Sequence, residues 1–240
     1  MKMTHLTFTY PGASENLLDD LSLDIVPGTV NILLGMNGAG KTTLFDIIAG
    51  LIPLKDAIRQ PIPWQNILYH IQGVPMLHTI RGKDLAELIL CGSGCYRPRD
   101  LSPLLFAPLF TDDRQTMQKI AGLWNRQYGK MSPGERRWFT ILLDCLLDKT
   151  LYLFDEPTAG VDPLSAAQIA AQIERLQRTG KSVLLTTHRV EDVRLFARYH
   201  LHMLDRGKIV LSEDEKIGSS SRGKACLDLR GHVRPHSSDR

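Results

Sequence analysis

No apolar run in this 240-residue chain approaches the roughly 18 residues that a bilayer-crossing helix needs; the longest candidates are residues 102–110 and the segments near 151 and 183. The chain is therefore not expected to cross a membrane itself. Its start, Met1-Lys2-Met3-Thr4-His5-Leu6, becomes a polar/apolar alternation with no continuous apolar segment ahead of a small-residue cleavage site, so a cytosolic location is expected. Cysteine is scarce. Of Cys91, Cys95, Cys145 and Cys226, the first two lack the second pair that would complete a zinc site, and in an intracellular chain all four are expected reduced, with no function assigned. Net charge is missing from the body: the formal +3 lies in the last 24 residues, leaving 24 basic and 24 acidic side chains in residues 1–216. That balance argues against a basic face tracking nucleic-acid phosphates, and no direct nucleic-acid partner is expected. No internal repeat is evident.

With 43% hydrophobic residues the chain can bury a substantial core. Strands are expected at 4–10 and 20–26, from Leu6, Phe8 and Tyr10 and then Leu21, Leu23 and Ile25 at period two, with Pro27-Gly28 as the turn. An apolar strand 29–34 leads into a glycine loop and a helix 41–49 that stops at Gly50. Residues 64–71 predict another strand, and 80–128 predict helix-like stretches broken by Gly and Pro. Helices at about 134–148, 163–178 and 189–197 then alternate with buried strands at 151–154 and 182–186, which predicts a mostly parallel sheet covered on both faces. A terminal hairpin is expected from 200–204 and 208–211 around Asp205-Arg206-Gly207. Beyond Lys216 the polar composition predicts a mobile tail, 216–240, after a domain spanning 1–215.

Gly35-Met36-Asn37-Gly38-Ala39-Gly40-Lys41-Thr42 satisfies the Gly-x4-Gly-Lys-Ser/Thr pattern, placed between an apolar strand and a helix as its mechanism demands. Glycines bring successive N–H groups against phosphate oxygens, and the helix N-terminus adds its dipole. Lys41 is positioned for the β- and γ-phosphates and Thr42 for Mg²⁺. By itself the motif specifies an ATPase or GTPase. Leu151-Tyr152-Leu153-Phe154-Asp155-Glu156 feeds two carboxylates to the carboxyl edge of the sheet, where α/β folds bind ligands. Asp155 suits Mg²⁺, which takes few carboxylates and keeps its waters, and Glu156 is free to polarise the attacking water.

The stretch from Asp155 through Pro157-Thr158-Ala159-Gly160-Val161 to Asp162-Pro163 resembles the strand end and following loop of the ATP-binding cassette family. Further features stand in that family's order. Tyr10 resembles the aromatic that stacks on adenine, and Gln72 the glutamine that senses the γ-phosphate and Mg²⁺ and opens the helical subdomain. Met131-Ser132-Pro133-Gly134-Glu135 occupies the place of the Leu-Ser-Gly-Gly-Gln signature, while also reading as a capped helix start with Glu135 three residues after Ser132. Asp162 resembles the loop aspartate that contacts a partner subunit and also fits a plain N-cap. His188 resembles the switch histidine.

The resemblance implies a P-loop α/β core, an N-terminal antiparallel β element and an inserted helical subdomain at about 73–132. It implies ATP and Mg²⁺ as cofactors, with the nucleotide between Gly35, Asn37, Gly38, Ala39, Gly40, Lys41, Thr42 and Thr43 of one protomer and Ser132 and Gly134 of another. Thr42, Gln72 and Asp155 would face the metal. Glu156 would be the general base, and Lys41 and His188 would stabilise the transferring phosphoryl. The implied partners are a second copy or a paralogous ATPase subunit and a separate transmembrane permease, holding the protein at the inner face of the membrane, with export favoured over import. The alternative is a soluble ATPase of the family serving an assembly pathway such as iron–sulfur cluster assembly. A repair or chromosome ATPase would carry a long coiled-coil insertion or zinc clusters, and the chain has neither. Two departures stand out. Pro133 replaces the first signature glycine and removes an N–H. The segment between Thr43 and Gln72 is short and lacks a Gly-containing hairpin, so a trimmed antiparallel subdomain is expected.

Overall fold

The computed structural model describes residues 1–54, 58–59, 61–73, 76–111 and 113–216, so the expected mobile tail lies outside the described residues apart from its first residue. Strands β1 (Lys2–Phe8) and β2 (Leu18–Asp24) pair antiparallel. Their alternation is not the regular one expected. His5 adopts φ 57° and Asp20 φ 52°, the register shifts between Met3 and Leu6, and His5 Nδ1 lies 2.7 Å from Asp20 Oδ1. The bulge brings Met3 and Leu6, three residues apart, to the same buried face and leaves Tyr10 beyond the strand and exposed. The strands accordingly run 2–8 and 18–24, two residues ahead of the ranges expected. After β3 (Val30–Gly35) and α1 (Lys41–Ile48), the two-residue strand β4 (Ile58–Arg59) joins β1, so the antiparallel sheet has the order β2-β1-β4. The antiparallel element therefore gains only a vestigial third strand from this segment.

The chain then forms β5 (Ile67–His70), and a helical segment of α2 (Gly82–Ala86) running into a π-helical turn at Glu87–Cys91, two 3₁₀ pieces, and α3 (Arg114–Asn125). It continues as α4 (Pro133–Asp144), β6 (Leu151–Phe154), α5 (Pro163–Arg178), β7 (Ser182–Thr187), the single turn α6 (Val190–Val193), β8 (Arg198–Asp205) and β9 (Lys208–Lys216). The last hairpin is longer than its apolar residues predict, because β9 pairs with β8 as far as Arg198↔Lys216. Residue 216 thus belongs to the sheet and not to the tail. The final helix is shorter than 189–197, a single turn before the chain turns into β8.

The larger sheet has the order β5-β6-β7-β3-β8-β9, parallel except for the last strand. Both faces are covered, which explains why β6 and β7 are buried throughout and read as continuous apolar runs. Ile32, Leu34, Tyr152, Phe154, Val183 and Leu185 pack toward the α4–α5 side, while Leu33, Leu151, Leu153 and Leu184 pack with Phe45 of α1 and with β1 and β2. Each such Leu or Phe contributes about 1.5–3 kcal/mol relative to exposure. The helical segment is tied to α5 by polar contacts: Lys119 Nζ donates to Ser165 Oγ at 2.9 Å, and Gln168 Nε2 donates to Thr116 Oγ1 at 2.7 Å.

Inside the last hairpin, His202 is fully buried. Its Nδ1 meets Ser212 Oγ at 3.1 Å, and its Nε2 has no partner among the described residues. Burial, reinforced by neighbouring His200, pulls its pKa down to about 4 from an ordinary 6.5. A histidine depressed on folding binds fewer protons in the native state, so stability is full above pH 6.5 and falls as pH drops toward 4. Between pH 7.5 and 5 this residue should cost about 2 kcal/mol. Urea midpoints at the two pH values, with and without His202→Leu, check this; a pH dependence unaltered by the substitution counts against it.

Candidate nucleotide site

The strand registers explain why residues distant in sequence converge. Leu34 lies opposite Thr187, Phe154 opposite Leu185, and His70 opposite Phe154. The loops after β3, β5, β6 and β7 therefore leave the sheet along one carboxyl edge, carrying the glycine loop, Gln72, Asp155-Glu156 and His188.

Gly40 precedes α1 at φ 100°, and a Cβ there would meet Leu18 Cδ2 at 2.8 Å, so only glycine permits this approach. Lys41 turns back over the loop: its Nζ donates to Gly35 O at 2.8 Å and Met36 O at 3.0 Å, and lies 4.0 Å from Glu156 Oε1. Burial pushes this ammonium below its usual range, and the Glu156 and Asp155 carboxylates partly offset that. Thr42 Oγ1 donates to Asp155 Oδ2 at 2.8 Å. A hydroxyl and a carboxylate oxygen side by side, with phosphate and water completing the shell, form the hard-oxygen set that suits Mg²⁺, so these residues fit that ion. Among the described residues no cluster of three or more His, Cys, Asp or Glu side chains could hold a metal without such help.

Glu156 has φ 50°, a left-handed conformation that costs a non-glycine residue about 1–2 kcal/mol. It is held there by its N–H, which donates to Thr186 Oγ1 at 2.9 Å, and its Oε1 lies 2.7 Å from His188 Nδ1. Strain at the proposed reacting carboxylate is the kind that surrounding structure maintains at working sites. The loop of His188 is anchored by Thr187, whose hydroxyl donates to Asp192 Oδ2 at 2.8 Å and accepts from Arg189 N–H at 3.0 Å.

Asn37, Gly38, Gly40, Lys41, Thr42, Thr43, Gln72 and Glu156 line one cleft of about 420 Å³, together with Leu17, which the sequence did not single out. Tyr10 stands at its edge, exposed, its hydroxyl 3.1 Å from Thr43 Oγ1 and its ring edge-on to Phe8. Gly35 and Ala39 shape the loop without lining the cleft. Ser132, Gly134 and Asp162 do not enter this cleft. Ser132 Oγ accepts from Glu135 N–H at 3.1 Å, Glu135 Oε2 accepts from Ser132 N–H at 2.8 Å, and Pro133 is the first residue of α4. The capping box is therefore real, and Pro133 sits where a helix does not use its N–H. Gly134 lies against the loop after β6, where an added Cβ would be 2.9 Å from Gly160 O. Asp162 caps α5, accepting from Ser165 N–H at 3.0 Å, and this bond holds its carboxyl below the ordinary range.

Arg137 on α4 donates to Ala159 O, and its half-buried guanidinium feels the Asp155 and Glu156 charges. No motif marks it; only packing reveals it.

A sequence profile described as ABC transporter matches residues 18–159. The chain belongs to this family and carries its ATP-hydrolysing cassette. Similar curated proteins include the ABC transporter A family member 8 of Dictyostelium discoideum, 29% identical over 88% of this chain and 25% of that protein. The energy-coupling factor transporter ATP-binding protein EcfA2 of Lactococcus lactis is 26% identical over 88% of this chain and 77% of its own length. An ATP-dependent lipid A-core flippase of Pseudomonas fluorescens is 28% identical over 88% of this chain and 36% of that protein. The chain thus spans a quarter to about a third of two of these relatives. Among solved structures, a dimeric bacterial ABC transporter cassette aligns with TM-score 0.69 and 19% identity, over 89% of this chain and 97% of that one, which establishes the shared fold.

Proposed function

We propose that this protein is a nucleotide-binding subunit that closes as a dimer over two ATP molecules and powers a separate membrane-embedded transporter. The observation that carries the reading is the division of the motif residues. Lys41, Thr42, Asp155, Glu156, His188 and Gln72 gather at one sheet edge, while Ser132, Gly134 and Asp162 lie outside the cleft, as a site completed by a second protomer requires. The loop N–H groups and Lys41 bind the phosphates. Glu156 takes the proton from the attacking water, and His188 orients Glu156 through the 2.7 Å hydrogen bond. The Ser132 hydroxyl and the start of α4 cap the γ-phosphate of the partner's ATP despite Pro133. Mg²⁺, held by Thr42, Asp155 and Gln72, would supply charge neutralisation on the phosphates.

Exposed Ile71 precedes Gln72, and beside it a cleft of about 490 Å³ lies between the end of β5 and α4, lined by Ile71, Gly73, Met76, Tyr128, Arg136 and Thr140. A permease segment seated there would touch Ile71 and Gly73, the residues on either side of Gln72. Export is the favoured direction, and the permease would hold the protein at the inner membrane face. Among the described residues no helix is long and apolar enough to cross a membrane. Purification from native membranes in mild detergent tests this. A co-purifying polytopic membrane protein is the expected result; a soluble scaffold as sole stoichiometric partner would favour the assembly-pathway reading.

A further inference from the structure

We propose that Thr186 is a positioning residue for ATP hydrolysis, its single hydroxyl fixing the Asp155 carboxylate and the Glu156 main chain relative to one another. β7 is apolar through Val183, Leu184 and Leu185, and the next residue, Thr186, is completely buried beside Asp155, which follows β6. A hydroxyl so placed is costly unless both its functions are used. Here they are used by consecutive residues of the acidic strand end: Thr186 Oγ1 donates to Asp155 Oδ1 at 2.6 Å and accepts from Glu156 N–H at 2.9 Å.

Each bond has a separate consequence. With Oδ1 occupied, the carboxylate plane of Asp155 is set so that Oδ2 faces Thr42, the oxygen pair that fits Mg²⁺. With its N–H held, Glu156 keeps φ 50°, and its side chain reaches His188 and stands 4.0 Å from Lys41. A relaxed, right-handed Glu156 would leave both partners. The adjacent Thr187 spends its hydroxyl on Asp192 and Arg189 instead, so two neighbouring threonines separately anchor the carboxylate pair and the histidine loop.

The inference rests on the reading of Asp155 as the Mg²⁺-facing carboxylate and Glu156 as the base. Three substitutions test it: Thr186→Ser keeps the hydroxyl without the methyl, Thr186→Ala removes both, and Thr186→Val removes the hydroxyl at the threonine shape. Losing an outer partner of a metal-facing group is expected to lower kcat about 10–100-fold in Ala and Val. In the same variants KM for ATP should stay nearly unchanged, the pattern of an interaction that matters in the transition state and not in binding. Serine should restore most of the rate. Independently of activity, hydrogen exchange at the Glu156 amide, which donates to Thr186 Oγ1, should speed up in Ala and Val and stay slow in Ser, while ATP binding in EDTA is unchanged. If Val does not fold, the Ser/Ala pair decides alone. Equal rates and equal Glu156 exchange in Ser and Ala would overturn the proposal, as would a loss that serine does not rescue. Glu156→Gln assayed in parallel separates the two failures: if it hydrolyses normally, the reading of the base is wrong, whereas if it is inactive and Thr186→Ala is not, only the role of Thr186 is wrong.

Discussion

Glu156→Gln should lower ATP turnover by roughly 10²–10⁴-fold, the range for losing a positioned general base, while leaving ATP affinity intact. The substitution keeps side-chain volume, and the amide oxygen can still meet His188 Nδ1 where Oε1 does, at 2.7 Å. The left-handed φ is no worse for glutamine, so folding should be undisturbed. What disappears is the ability to take a proton. If ATP lies between two protomers, blocked hydrolysis should also hold the closed dimer together. Size-exclusion chromatography with Mg-ATP should therefore show a dimer that ADP does not support. A monomer under both conditions, with ATP demonstrably bound, would refute the composite site, and near-normal hydrolysis would remove Glu156 from the mechanism.

The second large effect is expected at Lys41. Its ammonium is buried, lies 4.0 Å from Glu156 and is hydrogen-bonded to Gly35 O and Met36 O, so it sits at the centre of the loop that wraps the phosphates. Hydrogen bonds to charged groups are worth about 1.5–3 kcal/mol each, so Lys41→Ala should weaken ATP binding by at least about 10–100-fold and abolish hydrolysis. Because Ala also removes a desolvated charge, the folded state should survive, as thermal unfolding would register. Wild-type turnover in this variant would sink the site assignment. Together the two substitutions separate the steps: one leaves binding without chemistry, the other removes binding first.

Much of the site was legible because its parts are contiguous. The glycine loop, the acidic pair and the capping box at Ser132 are each written in fewer than ten residues, where spacing and residue type state the mechanism. The parallel sheet followed from apolar runs alternating with helical spacing. What escaped depends on contacts between distant segments. Thr186 looks like one more β-branched residue in a strand and gains a role only because β7 lies beside β6 in a register that puts it level with Asp155. Arg137 resembles any charge in a helix until α4 packs on the loop after β6. Leu17 reaches the nucleotide cleft by the course of the chain between β1 and β2. The bulge at His5 displaced the expected strand face for a similar reason: it depends on the cross-strand partner Asp20, which no local period reveals.

The contact between Gly134 and Gly160 has a mechanical consequence. At that point two backbones touch with no side chain between them and no space for one, an added Cβ being 2.9 Å from the facing carbonyl. Such a joint leaves little slack, so a displacement of the α4 tip would be passed to the segment that leaves Glu156 and leads to Asp162. In the proposed dimer, α4 reaches for the γ-phosphate of one ATP while that segment begins at the carboxylate serving the other. The occupancy of one cleft would thus be felt as a push on the acid of its twin, and the pair of sites would behave as a lever with two loaded ends, not as two independent engines.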